Sequence, residues 1–187
     1  MILAADLREG QVIRLEGELY QVISAELKAG TAKFGSLVHA KLKNLKTHTF
    51  TERRFSPEAK LEDVHLDSEV MDYLYSDGEN FIFLRETDYE QFSIPKAMIG
   101  DFSVFLVEGT KLRFQFYEGQ PVNALIPKTV DLKVVATGSG IKGSTDSAYK
   151  EAKLENGMEI MVPQFIKVGD IVRIATDTKR YLERVKG

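Results

Sequence analysis

The sequence predicts an all-β protein made of three small β-barrels, and three observations support this fold class. Short runs rich in β-branched and aromatic residues recur along the whole chain, and Gly, Asp, Asn or Pro bounds them. One ten-residue pattern occurs three times. Helical patterns are confined to two short stretches. Many short strands with frequent turns favour small barrels over a parallel sheet.

Six runs are typical of half-buried or buried strands because they are short, apolar and bounded by turn residues. In chain order they are YQVISAEL (20–27), LVHAKLKNL (37–45), NFIFLRE (80–86), KLRFQFYE (111–118), VDLKVVAT (130–137) and MEIMVP (158–163). The two candidate helices are SPEAKLEDV (56–64) and PKAMIGDFSVFL (95–106), and both are short.

The repeated pattern is DLREGQVIRL (6–15), FLVEGTKLRF (105–114) and FIKVGDIVRI (165–174). Each copy has a glycine at its fifth position, which suits a turn that needs a positive φ. Two explanations remain open at this point, a repeated structural unit or turn chemistry that many β proteins share. The spacing is too long for a solenoid and suits barrels of roughly 60 residues. The predicted domains are therefore 1–63, 64–126 and 127–187.

Composition narrows the class of protein. The 187 residues carry a net charge of −3 and include no cysteine, so neither disulfide nor thiolate chemistry is available. The start of the chain, MILAADLREG, lacks a basic region followed by an apolar run, so no signal peptide is expected. No apolar run approaches the ~20 residues that a membrane helix needs. We expect a soluble cytoplasmic protein that does not bind membranes.

Charge is segregated along the chain. Seven basic residues and one acidic residue lie between 28 and 54, whereas four basic and eleven acidic residues lie between 64 and 126. Such segregation can focus a local positive field on an acidic protein. The alternative is that the lysines only line a solvated strand face. If the segregated charges do create a positive field, the basic stretch 28–54 is a candidate for phosphate contacts.

Catalytic and metal-binding patterns are weak. The three histidines have no metal-ligand spacing. GSGIKGSTDS (138–147) lacks the spacing of a phosphate-binding loop and is expected to be a mobile loop. Lys33 would need burial to act as a nucleophile, but small residues surround it on a predicted hairpin tip. We therefore expect no enzyme activity, no metal and no cofactor. The remaining class of function is a binding protein with an exposed cationic tip.

The third region resembles a known family. The stretch KEAKLENGMEIMVPQFIKVGDIVRIAT (150–176) is similar to the signature of the bacterial translation elongation factor P family. The matching positions are Lys150, Ala152, Gly157, Ile160, Val162, Pro163, Ile166, Gly169, Asp170, Ile171 or Val172, Ile174 and Thr176. KLKNLKT (41–47), YLYSDGENFIF (73–83), YEQFSIP (89–95), FYEGQPV (116–122) and GIKGST (140–145) also resemble the family, so the likeness covers essentially the whole chain.

This resemblance implies a fold and a function. The family has an SH3-like, KOW-type barrel followed by two OB-folds, in an L shape similar to tRNA. It implies a monomeric factor that binds the ribosome, through ribosomal RNA and proteins, between the P and E sites. There it promotes peptide-bond formation at consecutive prolines by positioning the P-site tRNA. The alternative function is that of a general single-stranded nucleic-acid-binding OB-fold protein.

The resemblance also assigns site residues. Counting back from AKLKNL, the tip residue that many members modify falls on Lys33, so a lysine-modifying enzyme is an expected partner. The usual P-G-K-G surroundings are replaced here, since neither the proline nor either adjacent glycine is present. The tip loop consists of Gly30, Thr31, Ala32, Phe34 and Gly35 around Lys33. The expected RNA-binding residues are Lys28, Lys41, Lys43, Lys46, Arg53, Arg54 and Lys142.

Overall fold

The computed structural model describes residues 1–31, 33–138 and 148–186, and these form an all-β protein as predicted. Helical turns in the described residues are limited to α1 (Lys96–Ile99) and two 3-10 segments, Ala4–Asp6 and Gly100–Phe105. The strands are β1 (Ile2–Leu3), β2 (Val12–Leu15), β3 (Glu18–Lys28), β4 (Leu37–Asn44), β5 (Phe50–Phe55), β6 (Lys60–Asp63), β7 (Asp67–Ser76), β8 (Asn80–Arg85), β9 (Glu90–Pro95), β10 (Lys111–Tyr117), β11 (Gln120–Leu125), β12 (Thr129–Thr137), β13 (Tyr149–Leu154), β14 (Glu159–Pro163), β15 (Ile171–Ala175) and β16 (Tyr181–Val185). No helix in these ranges has the length and apolarity needed to cross a bilayer.

The first sheet has the strand order β1-β6-β2-β3-β4-β5, and all of its strands pair antiparallel. Alternation along β4 sends Val38, Ala40 and Leu42 into the core and leaves His39 and Lys41 on the outer face. The buried cluster of this sheet also includes Ile13 and Val22. The long β3–β4 hairpin therefore extends directly from a packed apolar core.

Two five-stranded sheets form the rest of the fold. Their orders are β11-β10-β7-β8-β9 and β14-β13-β12-β15-β16. In the sheet that contains β7 to β11, phenylalanines such as Phe83 and Phe114 are fully buried. In the sheet that contains β12 to β16, the fully buried side chains are aliphatic, for example Val134, Val162 and Ile174. The six strands expected from sequence are all present at these positions, with ends shifted by at most two residues.

The three copies of the repeated pattern have the same backbone arrangement, so the repeat is structural. The fifth-position glycine has a positive φ in every copy, and a strand follows it each time. In every copy the glycine N–H donates to the carbonyl of a residue at a β-bulge in the facing strand. The pairs are Gly10 with Val22 at 2.8 Å, Gly109 with Tyr73 at 2.9 Å and Gly169 with Val134 at 2.8 Å.

One candidate helix from the sequence is wrong and the other is confirmed. Residues 56–64 form a turn followed by β6, because Leu61 is buried and the segment pairs with both β1 and β2. Sheet pairing on two sides outweighs the weak helical preference of so short a segment. Residues 95–106 do form the helical turns of α1 and Gly100–Phe105, and Phe102 and Phe105 pack in the core.

The chain separates into two compact units, Met1–Glu69 with Phe114–Ala124, and Val70–Arg113 with Leu125–Gly187. In the first unit, polar contacts tie the first sheet to segment 114–124. The Arg14 Nη2 donates to Tyr117 Oη at 3.0 Å. The buried Asn123 Nδ2 donates to Gln21 Oε1 at 3.2 Å and to Gln115 Oε1 at 2.9 Å. The division into three domains at 63 and 126 stays a prediction.

Candidate nucleic-acid interface

The β3–β4 hairpin carries the predicted tip residue. Its antiparallel ladder ends with Lys28 opposite Leu37, so residues 29–36 form the loop beyond the last pair. Strand alternation in β3 is interrupted by a bulge between Val22 and Ser24, which adds a residue and increases the local twist. The hairpin thus presents its loop at the end of two paired strands rather than against the core.

The loop is a tight turn that depends on Gly30. The Phe34 N–H donates to the Thr31 carbonyl at 3.0 Å. A Cβ on Gly30 would collide with the backbone of Phe34 and Gly35, whereas a Cβ on Gly35 would meet open space. Gly30 therefore permits the close crossing of the two sides of the loop, which partly makes up for the missing glycines beside Lys33. Ala32, predicted as part of this loop, lies outside the described residues.

Lys33 is exposed at this tip, as the sequence predicted. Between 27 and 37 the chain has two lysines and no carboxylate. No hydrogen bond or ion pair joins the Lys33 ammonium to another residue that the structure describes. The tip therefore presents a positive charge that its own surroundings do not neutralise.

An open groove of about 570 Å³ lies on the outer face of β3, β4 and β5, below the loop. Residues that face each other across the ladders line it, for example His39 opposite both Glu26 and Arg54. Four of its residues are basic and two are acidic. The full lining is Ser24, Glu26, Lys28, His39, Ala40, Lys41, Glu52, Arg53 and Arg54.

Four of the predicted RNA-binding residues meet in this groove: Lys28, Lys41, Arg53 and Arg54. Lys41 Nζ lies 5.3 Å from the ring centroid of Phe50, a cation–π distance. Arg53 Nη2 also lies 3.7 Å from Glu16 Oε2. The two residues form an exposed ion pair, which contributes little to stability. One exposed aromatic ring, that of Phe50, thus lies beside a cation of the groove without lining the groove itself.

The other predicted RNA-binding residues lie elsewhere. Lys43 is half-buried further along β4, and burial lowers its pKa. The pKa of His48 is lowered by burial first and by the charge of Lys43 second. Lys46 is exposed in the turn after β4, away from the loop end of the hairpin. Lys142 lies outside the described residues.

Sequence reasoning missed His39, Glu26 and Glu52 as groove residues. The alternation of LVHAKLKN could have found His39, because it shares the outward parity of Lys41. The two glutamates depend on the register of three strands, which the sequence does not specify. Their carboxylates make the groove less positive than the basic residues alone suggested.

The acidic segment behaves differently from the hairpin. Arg85 Nη2 donates to Asp88 Oδ2 and to Glu90 Oε2, both at 2.7 Å. These bonds from Arg85 are the largest cause of the lowered pKa of Asp88, which falls to about 2. Lys111 Nζ likewise binds Asp72 Oδ1 at 2.9 Å and Glu86 Oε1 at 2.8 Å. These four carboxylates are thus paired within the chain.

Family models of three domains match the chain. They are the Elongation factor P KOW-like domain over residues 3–61, the Elongation factor P OB domain over 66–124 and Elongation factor P, C-terminal, over 130–184. The predicted fold, a KOW-type barrel followed by OB domains, is confirmed.

Curated relatives of similar length carry the name Elongation factor P. The protein of Coprothermobacter proteolyticus is 39% identical over 187 residues, which cover 99% of this chain and 100% of the relative. That of Syntrophomonas wolfei is 40% identical with the same coverage. That of Thermotoga maritima is 38% identical over 185 residues, 98% of this chain and 100% of the relative.

Among solved structures, a eukaryotic translation initiation factor 5A from Methanococcus jannaschii matches with a TM-score of 0.44 and 16% identity. The match covers 66% of this chain and 94% of that chain.

Proposed function

Because the chain belongs to the elongation factor P family of translation factors, we propose that it binds the ribosome between the P and E sites. It promotes peptide-bond formation at consecutive prolines there. In this proposal the β3–β4 hairpin carries Lys33 toward the CCA end of the P-site tRNA. Ribosomal RNA and proteins hold the rest of the molecule.

The unneutralised charge at the hairpin tip is the observation that carries this proposal. Lys33 is exposed, and the segment 27–37 around it contains no carboxylate. A cation without an internal partner is available to a phosphate or to the polar groups of an RNA end. Gly30 sets the path of the loop and therefore the position of that cation.

The mechanism that we propose is positional. Proline fixes φ, and a run of prolines favours a stiff extended helix that can hold the peptidyl ester away from the geometry of attack. A factor that props the P-site tRNA lowers the entropic cost of alignment, and that cost can be large. The ribosome then carries out the chemistry, and this chain acts without catalysis of its own.

The groove supplies the phosphate contacts in this proposal. Lys28, Lys41 and Arg54 lie on one outer face of the sheet formed by β3, β4 and β5. Contacts of this kind position a protein on RNA without reading its sequence. The same face brings Glu26 and Glu52 next to the basic groups, which limits how closely phosphates approach.

Lys33 is also the residue that we propose as the target of a lysine-modifying enzyme, because its amine is exposed on a protruding loop. The intact mass of the protein from its native host tests this point. An excess mass that maps to Lys33 supports modification, and an unmodified mass would assign the function to the free ammonium.

A general single-strand binder would need stacking surfaces along its OB domains. The aromatic runs NFIF and RFQFY do not offer them, since Phe81, Phe83, Phe114 and Phe116 are all buried. The exposed rings of residues 64–187 include Tyr75, Tyr89, Tyr149 and Phe165, which lie on separate strands and loops and not in one run. This packing favours the ribosomal proposal over the single-strand alternative.

Reconstituted translation tests the proposed function. One message contains three consecutive proline codons, and a matched message contains alanine codons in their place. We expect the chain to speed synthesis on the first message and to leave the second unchanged. Equal binding to ribosomes and to free single strands, without an effect on the proline message, would contradict the proposal and favour the alternative.

A further inference from the structure

Phe34, next to Lys33, exposes its aromatic ring at the tip of the hairpin. The side chain is 73% exposed, whereas Phe81, Phe83, Phe114 and Phe116 in the OB domain are buried. We propose that the Phe34 ring stacks on an unpaired nucleobase of the tRNA end that Lys33 approaches. This inference rests on the proposed function and names a second contact of the same tip.

The backbone of Phe34 is held although its ring is not. Its N–H donates to the Thr31 carbonyl at 3.0 Å, and its carbonyl lies against Gly30, where a Cβ would collide with it. The turn therefore holds the N–H of the residue by a hydrogen bond, and the carbonyl lies close to Gly30. A ring on a fixed backbone loses little conformational freedom when it meets a partner, which favours binding.

The ring stands in a cationic setting. Lys28 and Lys33 are the charged residues of segment 27–37, which contains no acid. A partner that takes up both an aromatic ring and two ammonium groups needs an aromatic face beside negative charge. An unpaired nucleobase next to its phosphates meets both needs, and exposed aromatics among basic residues are the usual means of gripping single strands.

The position of the ring also departs from the family pattern. Phe34 occupies the place of the second glycine in P-G-K-G, so the ring is an addition to the tip rather than part of its fold. It does not contribute to the core of the first sheet. Substitution of Phe34 is therefore expected to leave the fold intact, as is usual for exposed positions.

The test compares Phe34→Leu, Phe34→Ala and Phe34→Tyr with the wild-type chain in translation of the triple-proline message. Leucine keeps apolar bulk but has no aromatic face, and tyrosine keeps the face. Stacking on one base corresponds to about a 5- to 150-fold change in binding. We expect the Leu and Ala variants to need at least about fivefold more protein for half-maximal effect, with Phe34→Tyr close to wild type.

Leu27→Ala is the matched control, because Leu27 is 61% exposed on the same hairpin end and has no aromatic face. We expect it to act like wild type. Thermal melts of all variants check that the fold is unchanged.

Three results would overturn the inference. A Phe34→Leu variant as active as wild type would show that no aromatic face is needed. Equal losses in Phe34→Tyr and Phe34→Leu would indicate a closed apolar protein pocket instead of a base. A wild-type chain without effect on the proline message would refute the proposed function, and the inference would fall with it.

Discussion

Two loops of the molecule differ in whether their charged side chains have partners: the β3–β4 loop and the β8–β9 loop. In the second loop, Arg85 binds both Asp88 and Glu90, and the Asp88 carboxylate also accepts the Glu90 N–H at 3.2 Å. In the first loop, the Lys33 ammonium has no bonding partner among the described residues. The residues of both loops are exposed, but the Arg85 side chain at the edge of the second loop is only 17% exposed, whereas Lys33 is exposed.

The comparison separates charges that serve the fold from charges that remain available. Exposed ion pairs contribute little to stability, but they do consume the charge of both partners. A lone ammonium on a turn shaped by Gly30 contributes nothing to the core and keeps its full charge for a partner. We therefore expect the basic loop to contact a partner and the charges of the acidic loop to stabilise the local structure of that loop.

After the removal of Lys33 itself, the largest effect is expected from the shape of the basic loop. Gly30→Ala keeps every charge but adds a Cβ that collides with the backbone of Phe34 and Gly35. The loop must then take another path, and a displacement of an ångström at a positioning group can cost about 100-fold in rate. We expect a large loss of activity on the triple-proline message.

Gly35→Ala is the control for this loop, because its Cβ would meet open space. It is expected to keep nearly full activity in the same assay. If both glycine variants behave alike, the loop path does not matter and the comparison loses its structural basis.

A smaller effect is expected from the groove. Lys41→Gln combined with Arg54→Gln removes two cations that line it. If both contact phosphate, the slope of log affinity for ribosomes against log salt concentration should decrease by about 1.5. Lys46→Gln, outside the groove lining, is the control and should change the slope less. An unchanged slope in the double variant would assign these residues to solubility.

The pairing of Asp88 in the acidic loop should make the folding stability depend on pH. The pKa of Asp88 is lowered from 3.8 to about 2, chiefly by hydrogen bonds from Arg85. The unfolded chain therefore binds this proton at a higher pH than the folded chain does. The contribution of Asp88 is present above its unfolded pKa and is lost as the pH falls toward 2. Thermal melts of Asp88→Asn should show a shallower acid decline than wild type, and parallel curves would contradict the pairing.

The smallest effect is expected on ribosome affinity when the acidic loop is neutralised. Asp88→Asn with Glu90→Gln removes two charges that already pair with Arg85. The acidic segment would repel phosphate, so we expect it to face away from RNA and the affinity to stay nearly unchanged. A marked fall in binding would reverse the orientation that we infer for this segment.

Much of the fold was predictable because the pattern and the packing agree. The alternation in LVHAKLKN reports which side of β4 is buried. The glycines at 10, 109 and 169 mark the turns where φ is positive. Strand β5, FTERRF, escaped prediction because charged residues occupy most of its exposed positions, and pairing with β4 decides its structure instead.

The site was less predictable than the fold. The position of Lys33 on a hairpin tip follows from local pattern and from resemblance, and the structure agrees that it is exposed. The need for Gly30 arises from two sides of a loop that meet in space, and the place of Glu52 beside Lys41 arises from strand register. Neither contact leaves a signal in the local sequence.

The most direct test of the account is Lys33→Ala in reconstituted translation of the triple-proline message, with Lys28→Ala as the matched control. Both changes remove one exposed cation from the same hairpin end and should cost within about 0.5 kcal/mol of folding stability. We predict that Lys33→Ala abolishes the effect on the proline message, that Lys28→Ala only weakens it, and that both melt like wild type. Full activity of Lys33→Ala with an unchanged melt would contradict the account and leave Lys33 as an ordinary surface lysine.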